Sequence, residues 1–235
     1  MLAKVKTVVG TSAGALVGAI VATRRDLRGA LKTISTHGYK PDFDFERLSR
    51  EYGFDDGKII EDLLASVLAA QDSGITFKGV LDKYGVRLVV CVTNVTRRTP
   101  EYLGPDTHPD MPISTAIRMS CSVPLYFGAV QHEGCWYVDG SIVDNFPCDW
   151  AAAHGAQWIL GVNTRPSSAT IQSFESFIGA VMESATTSMS CTRADILELD
   201  VSGVPSFHFG ASSEALRCLF ASGVEQADAF LKKRA

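Results

Sequence analysis

Apolar positions along the chain follow two periods, and their alternation outlines a fold. Val5-Lys6-Thr7-Val8-Val9 is short and β-branched and predicts a strand, which Gly10 interrupts. Ala13 to Thr23 is small and aliphatic, as suits a closely packed helix. Asp26 is placed to cap a helix over Leu27 to Ser35, Asp44 to Tyr52 reads as another, and Asp55-Asp56 precede a longer one from Lys58 to Gln71. In that third helix Ile59, Leu63, Val67 and Leu68 share a face from which Glu61 and Asp62 point away. Thr76 to Tyr84 predicts a short helix. Val86 to Thr93 is almost continuously apolar, the mark of a strand covered on both faces.

Further strands are expected at Thr99–Leu103 and Cys135–Val138, the second ending at Asp139-Gly140, with a helix from Ile113 to Cys121 stopped by Pro124. Pro147 suits the start of a helix reaching His154, Trp158 to Val162 reads as a second buried strand, and Ile196 to Val201 as another. Ile171 to Ser190 is expected to be helical. So is Ser212 to Lys233, whose Leu216, Leu219, Phe220, Ala227, Phe230 and Leu231 form an apolar stripe. Strands alternating with helices imply an α/β fold with a largely parallel sheet covered on both faces. No linker-like shift in composition divides the chain, so residues 1–235 read as one domain.

Composition narrows the function classes. An apolar share of 46% in 235 residues excludes wholesale disorder. A chain of this length buries roughly 70% of its unfolded surface and needs no metal or disulfide staple. Lys+Arg 22 against Asp+Glu 26 leaves a net charge of −4, which argues against a general nucleic-acid binder. The six cysteines, at 91, 121, 135, 148, 191 and 218, form no CxxC pair and sit mostly in apolar runs. They read as small buried hydrophobes in a reducing, intracellular compartment, although an even count permits disulfides. The uncharged stretch Thr7 to Thr23 lies between Lys4, Lys6 and Arg24-Arg25, as in a targeting segment. Its Gly10, Thr11, Ser12, Gly14 and Gly18 suit an anchor poorly, because a membrane span needs about 20 mostly apolar residues.

Candidate chemistry begins at Gly10-Thr11-Ser12-Ala13-Gly14, a G-x-S-x-G pentapeptide with a strand running in and a helix opening out. In such an elbow the turn lifts Ser12 Oγ above the strand end, flanking side chains would clash at Gly10 and Gly14, and the Ala13 N–H points at a developing oxyanion. The alternative is an N-capping serine in a glycine-rich turn. A serine needs a base. His37, His108 and His132 lie in polar loop sequence, and His154 suits a helix C-terminus. His208 lies late in the chain among apolar neighbours, where a satisfied core or edge histidine is the commoner reading. Asp139-Gly140-Ser141 follows an apolar strand, so its carboxylate would sit at a carboxyl end of the sheet, where sites form. The alternative is an Asx turn closing that strand.

Three blocks carry a resemblance: Gly10-Thr11-Ser12-Ala13-Gly14-Ala15, Pro112 through Phe127 (PISTAIRMSCSVPLYF), and Tyr137 through Pro147 (YVDGSIVDNFP). In this order they are similar to the patatin-like phospholipase family, serine lipid acyl hydrolases with a three-layer α/β/α fold and a Ser–Asp dyad. The resemblance implies Ser12 as nucleophile, Asp139 as its base and part of the oxyanion hole from Ala13. It implies no cofactor or metal. The substrate would be a phospholipid or acylglycerol, met transiently at a membrane surface from a cytoplasmic location, peripheral at membranes or lipid bodies.

The family also carries a glycine-rich loop upstream of the nucleophile whose N–H groups complete the oxyanion hole. Only nine residues precede Gly10 here and none forms that loop. Three readings follow: a piece of a longer active protein, which the intact later motifs favour, a degenerate member, or donors supplied by another segment. Ser141 stands where the family usually has Gly or Ala. Three functions compete: the dyad hydrolase, an α/β-hydrolase esterase with a Ser12–Asp139–His208 triad, and a catalytically impaired patatin-like binding protein.

Overall fold

One strand organises the part of the molecule that matters for chemistry. In the computed structural model, which describes residues 4–36, 44–68, 72–165, 171–185, 194–201 and 212–234, β3 (Arg87–Asn94) is buried without interruption from Leu88 to Asn94. Side chains alternate along a strand, and its even positions Leu88, Val90 and Val92 enter a single apolar cluster. That cluster takes in Ala15, Ala19 and Ala22 of α1 (Ala13–Ala22) and Ala116 and Ile117 of α6 (Ile113–Ser120). It also holds Phe77 and Val80 of α5 (Phe77–Tyr84). The small residues of α1 let the helix lie close on the sheet. A Cβ at Gly18 would stand 3.0 Å from Val8 Cγ1.

Three strands pair with β3, and their registers decide where the site forms. β1 (Thr7–Thr11) runs parallel to it from Thr7↔Arg87 to Thr11↔Cys91. β4 (Thr99–Leu103) runs antiparallel against Val90 to Asn94, and β7 (Cys135–Asp139) runs antiparallel against Val92 to Asn94. The β4 register overlaps those of both other strands, so β4 occupies one edge of β3, and β1 and β7 share the other. They abut there end to end: β1 finishes opposite Cys91 and β7 finishes opposite Val92. Two carboxyl ends, arriving from opposite directions, therefore meet at one point. The hairpin of β6 (Val130–His132) with β7 completes this sheet.

The α/β class expected from the sequence stands, but the sheet is mixed rather than largely parallel, since only the β1–β3 pair in it is parallel. The reason is connection length. β3 returns to β4 over four residues, Val95 to Arg98, and a short connection forces antiparallel pairing. Two further strands, β2 (Gly53–Asp55) and β5 (Leu125–Phe127), pair parallel to each other outside this sheet. The helices α3 (Phe45–Glu51) and α4 (Lys58–Val67) fall within their expected spans, α2 (Leu27–Thr36) runs one residue past its own, and the capping reading holds at Asp26, which accepts from Arg28 and Gly29 N–H. At α4 the cap is Gly57 in left-handed conformation, with Asp55 and Asp56 accepting from Gly57 and Lys58 N–H instead.

The described residues gather into two compact units, one running up to Pro147 and one starting at Cys148. The second contains α7 (Cys148–Ala153), β8 (Leu160–Arg165), α8 (Phe174–Ala185), β9 (Asp195–Asp200) and α9 (Ser213–Lys232). Its two strands pair parallel, from Leu160↔Asp195 to Arg165↔Asp200. The expectation of a buried strand at Trp158–Val162 fails: Trp158 and Val162 are exposed, and the Trp158 indole donates to Asp195. Cys91, Cys121, Cys135 and Cys218 are free thiols, whereas Cys148 is disulfide-bonded, a departure from the reading of the cysteines as reduced hydrophobes. Among the described residues no helix is long and apolar enough to cross a membrane, and no cluster of His, Cys, Asp and Glu is arranged to hold a metal ion.

Candidate active site

Ser12 sits where β1 gives way to α1, with φ 54° and ψ −127°. Few non-glycine residues adopt that region, and a residue held there by its surroundings marks stored strain. Sequence explains how the turn is made. A Cβ on Gly10 would lie 2.5 Å from the Gly14 carbonyl oxygen and 2.8 Å from Ala15 N, so only glycine fits at position 10. Gly14 differs from expectation: no described atom comes within 4 Å of its Cβ position, so what its site contributes to the clash is backbone, not a missing side chain. Leaving the turn, Ala15 and Leu16 N–H donate to the Ser12 carbonyl. The Ala13 N–H, at the exposed start of a ten-residue helix, has no hydrogen-bond partner among the described residues. The positive end of the helix dipole is thus left facing outward beside Oγ.

Asp139 ends β7 and is 1% exposed. Ser12 Oγ donates to its Oδ2 at 2.7 Å, and the Ser141 N–H donates to its Oδ1 at 2.9 Å. Its main chain is fixed as well: Asp139 N–H donates to the Ser122 carbonyl at 2.9 Å, and the Thr93 hydroxyl donates to the Asp139 carbonyl at 2.8 Å. Burial pushes the carboxyl up to about 6, against the opposing pull of the Ser12 and Ser141 hydrogen bonds. No basic side chain forms an ion pair with it among the described residues. A carboxylate in this setting is poised as a base near neutral pH.

Gly140 and Ser141 of the second motif differ in what they require. A Cβ on Gly140 would lie 2.3 Å from the Cys91 carbonyl oxygen and 3.0 Å from Thr11 Cγ2, so the chain after Asp139 can lie against β3 only as glycine. Gly140→Ala is therefore expected to lower stability by at least about 2 kcal/mol, measured by urea unfolding. An unchanged midpoint would contradict the packing described. Ser141, by contrast, is half-buried and contributes its N–H, which any residue supplies. Thr11 is tied to the same loop, its hydroxyl donating to the Asp144 carbonyl at 2.9 Å, while the Tyr102 hydroxyl donates to the Asp144 carboxylate at 2.6 Å.

The thiols nearest the pair are not alternative nucleophiles. Burial pushes the Cys91 thiol up to about 12 and raises the Cys121 thiol as well. Among the described residues no histidine hydrogen-bonds to Ser12 or Asp139. His154 Nδ1 is within 2.8 Å of the Trp150 carbonyl, and His132 faces Glu133. His37 and His208 lie outside the described residues. One residue escaped the sequence reading: Ser120, fully buried, whose Oγ accepts from the Ser12 N–H at 2.8 Å and donates to the Cys91 carbonyl at 2.7 Å. Its signal was a serine at a helical position of a fully apolar face, which propensity alone disfavours.

Comparison with known proteins follows the same lines. Over 97 residues the chain is 32% identical to "Probable lipid hydrolase 463L" of Invertebrate iridescent virus 6, covering 38% of this chain and 33% of that protein. It is 27% identical to "Uncharacterized protein YqhO" of Bacillus subtilis (strain 168), over 97% of this chain and 88% of that protein. Among solved structures, VipD from Legionella pneumophila superimposes with a TM-score of 0.59 at 14% identity, over 99% of this chain and 62% of VipD, a likeness of fold. The stretch shared with the viral protein is a third of that protein, and the chain spans less than two thirds of VipD. The patatin-like phospholipase family model matches residues 1–152, which hold all three motif blocks, Ser12 and Asp139 among them, and the chain belongs to that family.

Proposed function

We propose that this chain is a serine lipid acyl hydrolase of the phospholipase A or acylglycerol lipase type, working through a Ser12–Asp139 dyad. The observation that carries this reading is the direct hydrogen bond from Ser12 Oγ to Asp139 Oδ2 at 2.7 Å. In a triad the acid orients a histidine and the histidine meets the serine. Here the acid meets the serine itself, and both its oxygens are already engaged.

The chemistry then runs in two halves. As Ser12 Oγ attacks the ester carbonyl carbon, its proton passes to Asp139 Oδ2, and the carbonyl oxygen gains the charge that the Ala13 N–H is placed to receive. Collapse of the tetrahedral adduct breaks the ester C–O bond, and the departing alcohol oxygen takes the proton back from Asp139. Water then attacks the acyl-serine, losing its proton to Asp139, and the fatty acid leaves as Oγ recovers its hydrogen. The exposed apolar side chains flanking the pair, Val17 on α1 and Ile142 and Val143 just after Asp139, support an apolar substrate. By this reading the lipid is met at a membrane or lipid-body surface, from the cytoplasm.

The test uses the full chain with phosphatidylcholine vesicles and an acylglycerol emulsion as substrates and a fluorophosphonate as active-site label. Fatty-acid release together with labelling confined to Ser12 is expected, and His208→Ala is expected to change turnover no more than a few-fold. Collapse of turnover in His208→Ala would establish the triad instead. Absence of both labelling and release would leave the fold as that of a binding protein.

A further inference from the structure

We infer that Ser120 is a positioning residue for the nucleophile, its hydroxyl inserted into the β1–β3 ladder as the device that turns Ser12 out of the sheet. The inference rests on the dyad reading above. The register is the starting point. Arg87 N–H donates to the Lys6 carbonyl, and Thr7 pairs with Arg87. In a parallel ladder one strand's alternate residues make both of the bonds to the other. Counting forward from Arg87, the bonding residues of β3 are Arg87, Val89 and Cys91, and the rung after Thr11↔Cys91 would run from the Ser12 N–H to the Cys91 carbonyl. That rung is not made directly. The Ser120 hydroxyl occupies it, accepting from Ser12 N–H at 2.8 Å and donating to Cys91 O at 2.7 Å.

Insertion explains three facts together. Ser12 departs from strand geometry to φ 54° at the residue where the hydroxyl enters. Its N–H and the Cys91 carbonyl, at a buried strand end, both stay paired, so leaving the ladder costs neither of them a partner. Ser120 is itself wholly buried, in the last turn of α6, so its hydroxyl has no competing water. A direct N–H···O bond spans only about 2.9 Å. Without the hydroxyl the two groups would either remain unpaired or close on each other, drawing Ser12 back toward β3 and its Oγ off Asp139. Ser122, two residues further on, serves the same end by another route: it supplies the carbonyl that holds Asp139 N–H. One short stretch, Ser120 to Ser122, thus fixes the backbone of both dyad members.

The experiment compares Ser120→Ala, Ser120→Cys and Ser120→Thr with the wild-type chain. Cysteine is close in size but bonds weakly, so it removes the relay with little change of packing if alanine fails to fold. Alanine and cysteine are expected to lower kcat and the fluorophosphonate labelling rate by about 10²-fold, the scale of a small misplacement of a reacting group. KM should stay nearly constant, and the acid limb set by Asp139 should not move. Ser12 amide hydrogen exchange should accelerate while the β3 amides keep their protection. Threonine, which keeps the hydroxyl, should recover most of the rate. Turnover of Ser120→Cys within twofold of wild type, or Ser12 amide protection unchanged in it, would overturn the inference. A wild-type chain that neither turns over nor labels would instead overturn the dyad reading, and the amide measurement then decides the inserted hydroxyl by itself.

Discussion

Asp139→Asn is expected to lose about 10²–10⁴-fold in turnover, the contribution of a positioned base, and at the same time to gain stability above neutral pH. The two effects have one cause. The folded chain holds the Asp139 carboxyl up at about 6 against an ordinary 3.8, chiefly because it is buried. A raised carboxyl means that the fold prefers the protonated form. The stability this contributes is complete below pH 3.8 and is lost as pH rises through about 6. Above that pH the wild-type fold carries an ionised group in a site built for a neutral one. At about 1.4 kcal/mol per pKa unit the gap corresponds to about 3 kcal/mol. Asparagine is neutral at every pH and nearly isosteric, but it accepts more weakly from the Ser12 hydroxyl and the Ser141 N–H. A net gain of about 1–3 kcal/mol at pH 8, vanishing by pH 4, is therefore expected from urea unfolding at the two pH values. The same ionisation should give wild-type kcat/KM an acid limb near pH 6, since only the carboxylate accepts the serine proton. An asparagine variant less stable than wild type at pH 8 would contradict a site dominated by desolvation.

How much of this could be read in the sequence depends on the range of the interaction. Local signals served well. The β-branched run into Gly10, the uncharged small-residue helix after Ala13, the continuous apolar run of β3 and the Asp26 cap each depend on residues a few positions apart, and the structure places strands, helices and that cap there. Gly10 was legible because close backbone approach leaves glycine as the sole fit, whereas the crowding at Gly140 comes from the distant Cys91 carbonyl. Gly14 looked alike in sequence and is different in space, since a motif does not say which side of a turn is crowded. The strands β2, β5 and β6 went unseen because each is three residues long, too short for an alternation to register.

Pairing was the larger gap. Alternating strands and helices suggest parallel neighbours, but the turn of Val95 to Arg98 and the 133–134 turn impose antiparallel ones. The end-to-end meeting of β1 and β7 on one edge of β3 brings residues 127 positions apart into hydrogen-bond contact. The position of Ser120 follows from that same meeting, 108 residues from its partner, and the serine on an apolar helix face that marks it locally does not say which partner it meets. Thus Ser12 and Asp139 stood out as motif residues, whereas the reason they touch lies in register.

Ser12→Gly and Ser12→Ala are expected to abolish turnover alike, by on the order of 10⁴–10⁶-fold as when a serine nucleophile is deleted, yet to differ in stability. At φ 54° and ψ −127° the nucleophile occupies backbone space natural to glycine and costly to a residue with a Cβ. Such strain is worth about 1–3 kcal/mol. Glycine relieves it, offset by about 0.5–1 kcal/mol for the freedom glycine regains in the unfolded chain. Alanine keeps the Cβ and so keeps the strain. Both variants remove the hydroxyl that donates to Asp139 Oδ2, which leaves the buried carboxylate with one donor fewer and costs both of them equally. The difference between the two is therefore the strain less glycine's extra freedom in the unfolded chain. Ser12→Gly should exceed Ser12→Ala in stability by about 1 kcal/mol or more, read from urea midpoints at pH 8 with each chain's slope unchanged. Equal midpoints would mean that the strain at Ser12 is no larger than glycine's entropic offset of about 0.5–1 kcal/mol. The serine would then sit where it does at little conformational cost, and its reactivity would have to come from Asp139 alone.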